Sequence, residues 1–104
     1  MKDIEAFLKY LKVLRKDSNY TITSYKNDLL ELYDFTTDLR GITTDIAKDY
    51  LEYLYAKGLS RNSISRKLSA IRSFYQYLEN EEIIRDNYFR EVLRRWVSRS
   101  PNSE

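Results

Sequence analysis

"LSRNSISRKLSAIRSFYQYL", residues 59–78, is the stretch that decides how this chain folds. Advancing 100° per residue from Ile64 brings Leu68, Ile71, Tyr75 and Leu78 within about 40° of one line, the apolar stripe of a helix. Ser60 stands where a hydroxyl caps a helix N-terminus, and Gly58 stands one step past the end of the preceding helix, where a left-handed cap favours glycine. Across from the stripe lie Asn62, Ser65, Arg66, Ser69, Ser73 and Gln76, with Arg61 and Arg72 on the shoulder. The segment contains Arg61, Arg66, Lys67 and Arg72 and not one carboxylate. Solvated helices more often mix lysine with glutamate at i,i+4. Small serines let a helix approach a surface closely, while arginine, asparagine and glutamine hydrogen-bond phosphates or base edges. Lys67 falls on the opposite flank, near Phe74. The pattern fits a nucleic-acid face, and it also fits a plain wet surface. Periodicity alone leaves both open.

Working outward, Asp3 is expected to cap a first helix with Ile4, Phe7, Leu8, Leu11 and Leu14 on one face, ending near Lys16. "DSNY" then offers turn residues. A second helix is expected from about Thr21, turning Ile22, Tyr25, Leu29, Leu32 and Tyr33 inward. Thr21, Thr23, Ser24, Lys26 and Asn27 fall in its first two turns, where unpaired backbone N–H groups attract phosphate oxygens. As a single residue Thr21 better suits a simple cap, which is compatible with a phosphate beside it. "TTDLRGIT" breaks this helix. Thr43 or Thr44 caps a third, with Ile46, Tyr50, Leu51 and Leu54 inside. "ENEEIIRDN" closes the fourth, and Asp86 or Asn87 caps a short fifth running through Trp96. Trp96, among Arg94, Arg95 and Arg99, is placed either to stack on a base or to pack on the end of the bundle, and packing is expected.

The expected fold is therefore all-α: a bundle of four main helices plus a short C-terminal helix. Its core should hold Phe7, Leu11, Tyr25, Leu29, Leu51, Leu54, Ile64, Leu68, Ile71 and Tyr75. One domain over residues 1–97 accounts for the length, with residues 98–104 a frayed tail or the start of a linker. Two glycines and one proline in 104 residues agree with long helices and short joins.

Eighteen basic residues against sixteen acidic ones give a net charge of +2, so the distribution of charge carries more information than its sum. The chain has no cysteine and no histidine, which excludes disulfides, thiolate or imidazole metal sites and histidine-based nucleophile pairs. No cofactor is expected. No apolar run approaches the roughly 18 residues of a membrane span, and "MKDIEAFLKYLKVLRKD" is too charged for a signal peptide, so a cytoplasmic protein is expected. Ten tyrosines invite a search for a nucleophile, but Tyr25, Tyr50 and Tyr75 face inward and the others lack an activating base nearby in sequence.

Two stretches carry a family resemblance. In "IEAFLKYLKVLRKDSNYTITSYKNDLLELYDF", Thr21, Ile22, Tyr25, Asp28, Leu29 and Leu32 fill the pattern T-[hydrophobic]-x-x-Y-x-x-D-L-x-x-[hydrophobic]. In "YLEYLYAKGLSRNSISRKLSAIRSFYQYLENEEIIRDN", "GLS" is followed by "RKLSAIRSFYQYL". Over residues 4 to about 87 the chain resembles the N-terminal core-binding, SAM-like domain of tyrosine recombinases and phage integrases, above all the Xer-type branch. Ser63 stands in place of the usual threonine, "NEEIIRDNY" replaces a glycine turn and Asn-Pro, with Tyr88 at the proline position, and "FREVLRRWVSRSPNSE" follows no pattern of the family.

The resemblance implies half of a clamp around double-stranded DNA, with the second and fourth helices against the major groove. It also implies contact between protomers in a synaptic tetramer, although the isolated domain is expected to be monomeric. DNA contacts are then expected from Thr21, Thr23, Ser24, Lys26, Asn27, Arg61, Asn62, Ser65, Arg66, Ser69, Arg72, Ser73 and Gln76, placing the protein on the nucleoid when bound. Strand cleavage in the family needs an Arg/Lys/His/Arg/His-or-Trp constellation and a nucleophilic tyrosine on a second domain, so these 104 residues are expected not to be an enzyme. A stand-alone DNA-binding regulator and a helical protein–protein adaptor are the alternatives.

Overall fold

The computed structural model describes residues 1–98, with side chains through Arg95. Five helices follow one another: α1 (Lys2–Val13), α2 (Asn19–Phe35), α3 (Thr44–Ala56), α4 (Arg61–Asn80) and α5 (Tyr88–Ser98). No strand occurs among the described residues, so the chain is all-α as the periodicities required. α4 is the central element, packing against α1, α2 and α5, while α3 packs against α5.

Local chemistry sets the helix ends. Ser18, Thr43 and Ser60 each accept a hydrogen bond from the backbone N–H three residues on, satisfying a donor that the helix leaves unpaired. Asn87 does the same for Arg90 at the start of α5. Gly58 follows α3 with φ +80°, the left-handed geometry expected of it. At Gly41 a Cβ would lie 2.3 Å from the Asp38 carboxylate, whose Oδ1 accepts the Gly41 N–H, so a larger residue would displace that side chain from the tight turn.

Two helix starts differ from the expectation. α2 begins at Asn19 with Ser18 as its cap, so Thr21 lies inside the first turn. Asp3 does not cap α1, whose N-terminal side-chain cap is absent. Its carboxylate is instead buried and takes two hydrogen bonds from Arg40, at 2.7 and 2.9 Å. A tertiary partner thirty-seven residues away outcompetes the local capping role.

Nine of the ten expected core residues are buried; Tyr25 is half-buried, its ring stacked on Phe7 at 6.2 Å. Leu14, expected on the inner face of α1, is 73% exposed, because α1 stops at Val13 and the chain turns away through Lys16 at φ 58°. The core also holds residues beyond those expected. Leu39 and Ile42 are buried between α2 and α3, and the buried Tyr75 hydroxyl donates to the Leu39 carbonyl at 2.7 Å. Phe89, Val92 and Leu93 of α5 are buried too, making the fifth helix part of the core. Trp96, expected to pack, and residues 99–104 lie outside the described side chains.

Candidate nucleic-acid interface

α4 is buried on the side of Ile64, Leu68, Ile71, Tyr75 and Leu78, and additionally at Ala70 and Phe74, because neighbours contact it on several sides. One face remains open. Arg61, Asn62, Ser65, Arg66, Ser69, Arg72 and Gln76 are all exposed, and Ser73 is half-buried at its margin. The helical period placed six of these opposite the apolar stripe and Arg61 and Arg72 on its shoulder.

The first turns of α2 lie beside this face. Thr23, Lys26 and Asn27 are exposed, while Thr21 and Ser24 are half-buried. The Arg66 guanidinium donates to the Ser24 hydroxyl at 3.0 Å, tying two candidate residues forty-two positions apart. Thr21 is less available than the rest: its amide donates to Ser18, whose hydroxyl also donates to the Thr21 oxygen.

Beneath the surface, α2 and α4 are joined by a brace that sequence spacing did not disclose. Lys67 turns into the interface with α2 and donates to Asp28 at 3.1 Å and to Glu31 at 2.8 Å. Glu31 also accepts from Lys57 at the end of α3. Asp28 is 4% and Lys67 16% exposed at the side chain, so this pairing is largely removed from water. Burial opposes the Glu31 charge, yet hydrogen bonds from Lys57 and Lys67 outweigh it and hold the carboxyl below its ordinary range. Burial likewise opposes the charge on Lys67, and the two carboxylates still raise its pKa. Asp28 and Lys67 add a polar tie to the apolar packing of α2 on α4, and their signal was the family pattern, in which Asp28 occupies a defined place. With both carboxylates turned to Lys67, Arg66 is left to Ser24.

At the far end of α4, Gln76 donates to Asn80 at 3.0 Å and accepts from Arg90 of α5, which also pairs with Glu79. Gln76 is thus held rather than free-swinging. The tyrosines are structural where they are buried: burial drives the hydroxyl pKa of both Tyr50 and Tyr75 far upward, the reverse of what an activated nucleophile needs.

Comparison with known proteins agrees with this architecture. A family model described as "Phage integrase, N-terminal SAM-like domain" matches residues 4–82. Proteins named "Tyrosine recombinase XerC" are similar over most of the chain: 37% identical in Oceanobacillus iheyensis, covering 83% of this chain and 30% of that protein. In Lacticaseibacillus casei the identity is 40%, over 86% of this chain and 32% of the relative. In a Staphylococcus aureus relative it is 43%, over 70% and 26%. The chain therefore spans about a third of the length of the curated relatives it matches. No solved structure matches it.

Proposed function

The chain belongs to the phage integrase N-terminal SAM-like domain family, and on that premise we propose that it binds duplex DNA as the non-catalytic half-clamp of a tyrosine site-specific recombinase. The observation that carries this reading is the open, carboxylate-free face of α4, tied to the first turns of α2 by the Arg66–Ser24 hydrogen bond. Arg66 and Arg72 supply charge, Asn62 supplies an amide able to read a base edge, and the serines keep the helix close to the groove, while Gln76, held by Asn80 and Arg90, contributes little. Thr23, Ser24, Lys26 and Asn27 engage the adjacent strand, with Thr21 contributing least because its amide and hydroxyl are already engaged. The binding unit is residues 1–97. It contacts one arm of a recombination site, and other protomers join it in a synaptic tetramer. Strand cleavage belongs to a second domain of the kind found in whole recombinases, so this chain forms no covalent adduct with DNA. It acts in the cytoplasm, on the nucleoid.

Titration of labelled duplex at several salt concentrations tests the reading. Half a clamp neutralises few phosphates, so binding is expected in the roughly micromolar range, with a slope of about −0.9 in log K against log salt for each phosphate engaged. Arg66→Ala and Arg72→Ala should each weaken binding while the urea midpoint stays put, because both side chains are exposed. Loss of a guanine contact removes about 1–3 kcal/mol of base discrimination, whereas loss of a phosphate contact lowers affinity on all sequences alike. Undetectable duplex binding at low salt would favour the protein–protein adaptor instead.

A further inference from the structure

α4 has twenty residues and so spans about 30 Å at 1.5 Å per residue, whereas the major groove is only about 12 Å wide. A helix laid across that groove covers it with some eight residues, and its remaining turns overhang the phosphate ridge. The C-terminal end of α4 is not flat. A cavity of about 240 Å³ opens there between α4 and the end of α1, lined by Tyr10, Arg15, Arg72, Ser73, Gln76, Tyr77, Asn80 and Glu81. The Tyr10 and Tyr77 rings sit together on one wall, their centroids 5.1 Å apart. Arg15, in the turn after α1, forms an ion pair with Asp17 at 3.2 Å through one nitrogen of its guanidinium. Arg72 has no ion-pair partner among the described residues.

We propose that this cavity seats a phosphate of the DNA backbone, held by Arg15 and Arg72 with hydroxyl and amide donors from Ser73 and Asn80, beyond the edge of the groove that α4 reads. The inference rests on the DNA-binding reading and extends it to α1, which that reading left out. Two guanidiniums, that of Arg15 already paired with Asp17, line the cavity beside the carboxylate of Glu81, and an oxyanion is the ligand that convergent N–H and O–H donors recognise. Three of its lining residues, Arg72, Ser73 and Gln76, already belong to the α4 face, so a strand leaving the groove meets the cavity without a break.

The same ligand chemistry is offered by free phosphate and by the strand, and the experiment separates them. Duplex affinity is measured against salt for wild type, Arg15→Gln, Asn80→Lys and Arg66→Ala, and amide NMR shifts are followed on adding duplex or inorganic phosphate alone. Arg15→Gln should reduce the salt slope by about one and Asn80→Lys should raise it by about one. The amides of Arg15 and Asn80 should shift with duplex and stay still in millimolar phosphate. Shifts with phosphate but none with duplex would make the cavity a free-anion site and overturn the proposal. If Arg66→Ala weakens binding while Arg15→Gln and Asn80→Lys leave the slope unchanged, the cavity falls and the groove reading stands. If Arg15→Gln and Asn80→Lys both change the slope while Arg66→Ala leaves binding unchanged, the cavity stands and the role given to Arg66 in the groove falls. A wild-type chain that binds no duplex at low salt overturns both.

Discussion

At the scale of single residues, neighbouring positions Arg66 and Lys67 do opposite work. Arg66 stands on the open face and donates to a neutral hydroxyl, while Lys67 is nearly buried between two carboxylates. Removing one partner of a buried ion pair leaves the other charge uncompensated, so Lys67→Ala should destabilise the fold by on the order of 3 kcal/mol. Arg66→Ala should change stability by less than about 0.5 kcal/mol. Urea unfolding of the two variants measures both, and equal midpoints would mean that Lys67 is not the brace. Acid should loosen the same structure. Asp3 is held below its ordinary value of 3.8, chiefly by the Arg40 hydrogen bonds, and Glu31 lies below its ordinary 4.5 despite burial. In the interval between the folded and unfolded pKa values the unfolded chain binds more protons, so stability rises with pH there. The contribution is complete above about pH 4.5 and fades as pH falls through the folded values. An Asp3→Asn, Glu31→Gln double variant should therefore lose less stability than wild type between about pH 5 and about pH 3. Parallel curves would show that neither carboxylate contributes.

At the scale of elements, what could be read from the sequence follows from what periodicity reports. The exposure of Asn62, Ser65, Ser69 and Gln76 and the burial of Ile64, Leu68 and Ile71 were legible because both follow from the helical period alone. The pairing of Lys67 with Asp28 was not, since spacing along one helix says nothing about which carboxylate a neighbouring helix presents. Leu39 and Ile42 escaped because a turn has no period. Phe89, Val92 and Leu93 had a signal, three apolar residues at i, i+3 and i+4, but the short segment lacked a longer pattern to anchor it. The end of α4 holds a further lesson. Glu82 adopts φ 60°, and the N–H groups of Ile83 and Glu82 donate to the carbonyls of Leu78 and Glu79, a Schellman arrangement. The family resemblance puts a glycine turn in this region, and here glutamate carries the left-handed conformation. That geometry costs a non-glycine residue about 1–2 kcal/mol, partly offset by the greater freedom glycine has in the unfolded chain. Glu82→Gly should raise the urea midpoint by the equivalent of about 0.5–1 kcal/mol. A lower midpoint would mean that the glutamate side chain stabilises the turn.

At the scale of the whole molecule, the family match stops short of the packed core. The match ends at residue 82, yet α5 packs on α3 and α4 and buries Phe89 completely, together with nearly all of Val92 and Leu93. Phe89 stacks on Tyr75 at 5.4 Å, the tyrosine whose hydroxyl anchors the turn between α2 and α3. Arg90 adds a polar tie to Glu79. The fifth helix thus covers one side of the same α4 whose other side is proposed to meet DNA. Phe89→Ala should cost about 3–5 kcal/mol, as truncation of a buried aromatic does. Domains of this size have total stabilities of only about 5–15 kcal/mol, so a chain stopped after Arg85 loses enough to abolish cooperative unfolding. Calorimetry of that shortened chain should show no sharp transition, and the full chain should show one. DNA affinity should fall with it, because the α4 surface depends on the packing behind it. A shortened chain that melts cooperatively near the temperature of the full chain would confine the folding unit to the residues of the family match and leave α5 an appendage.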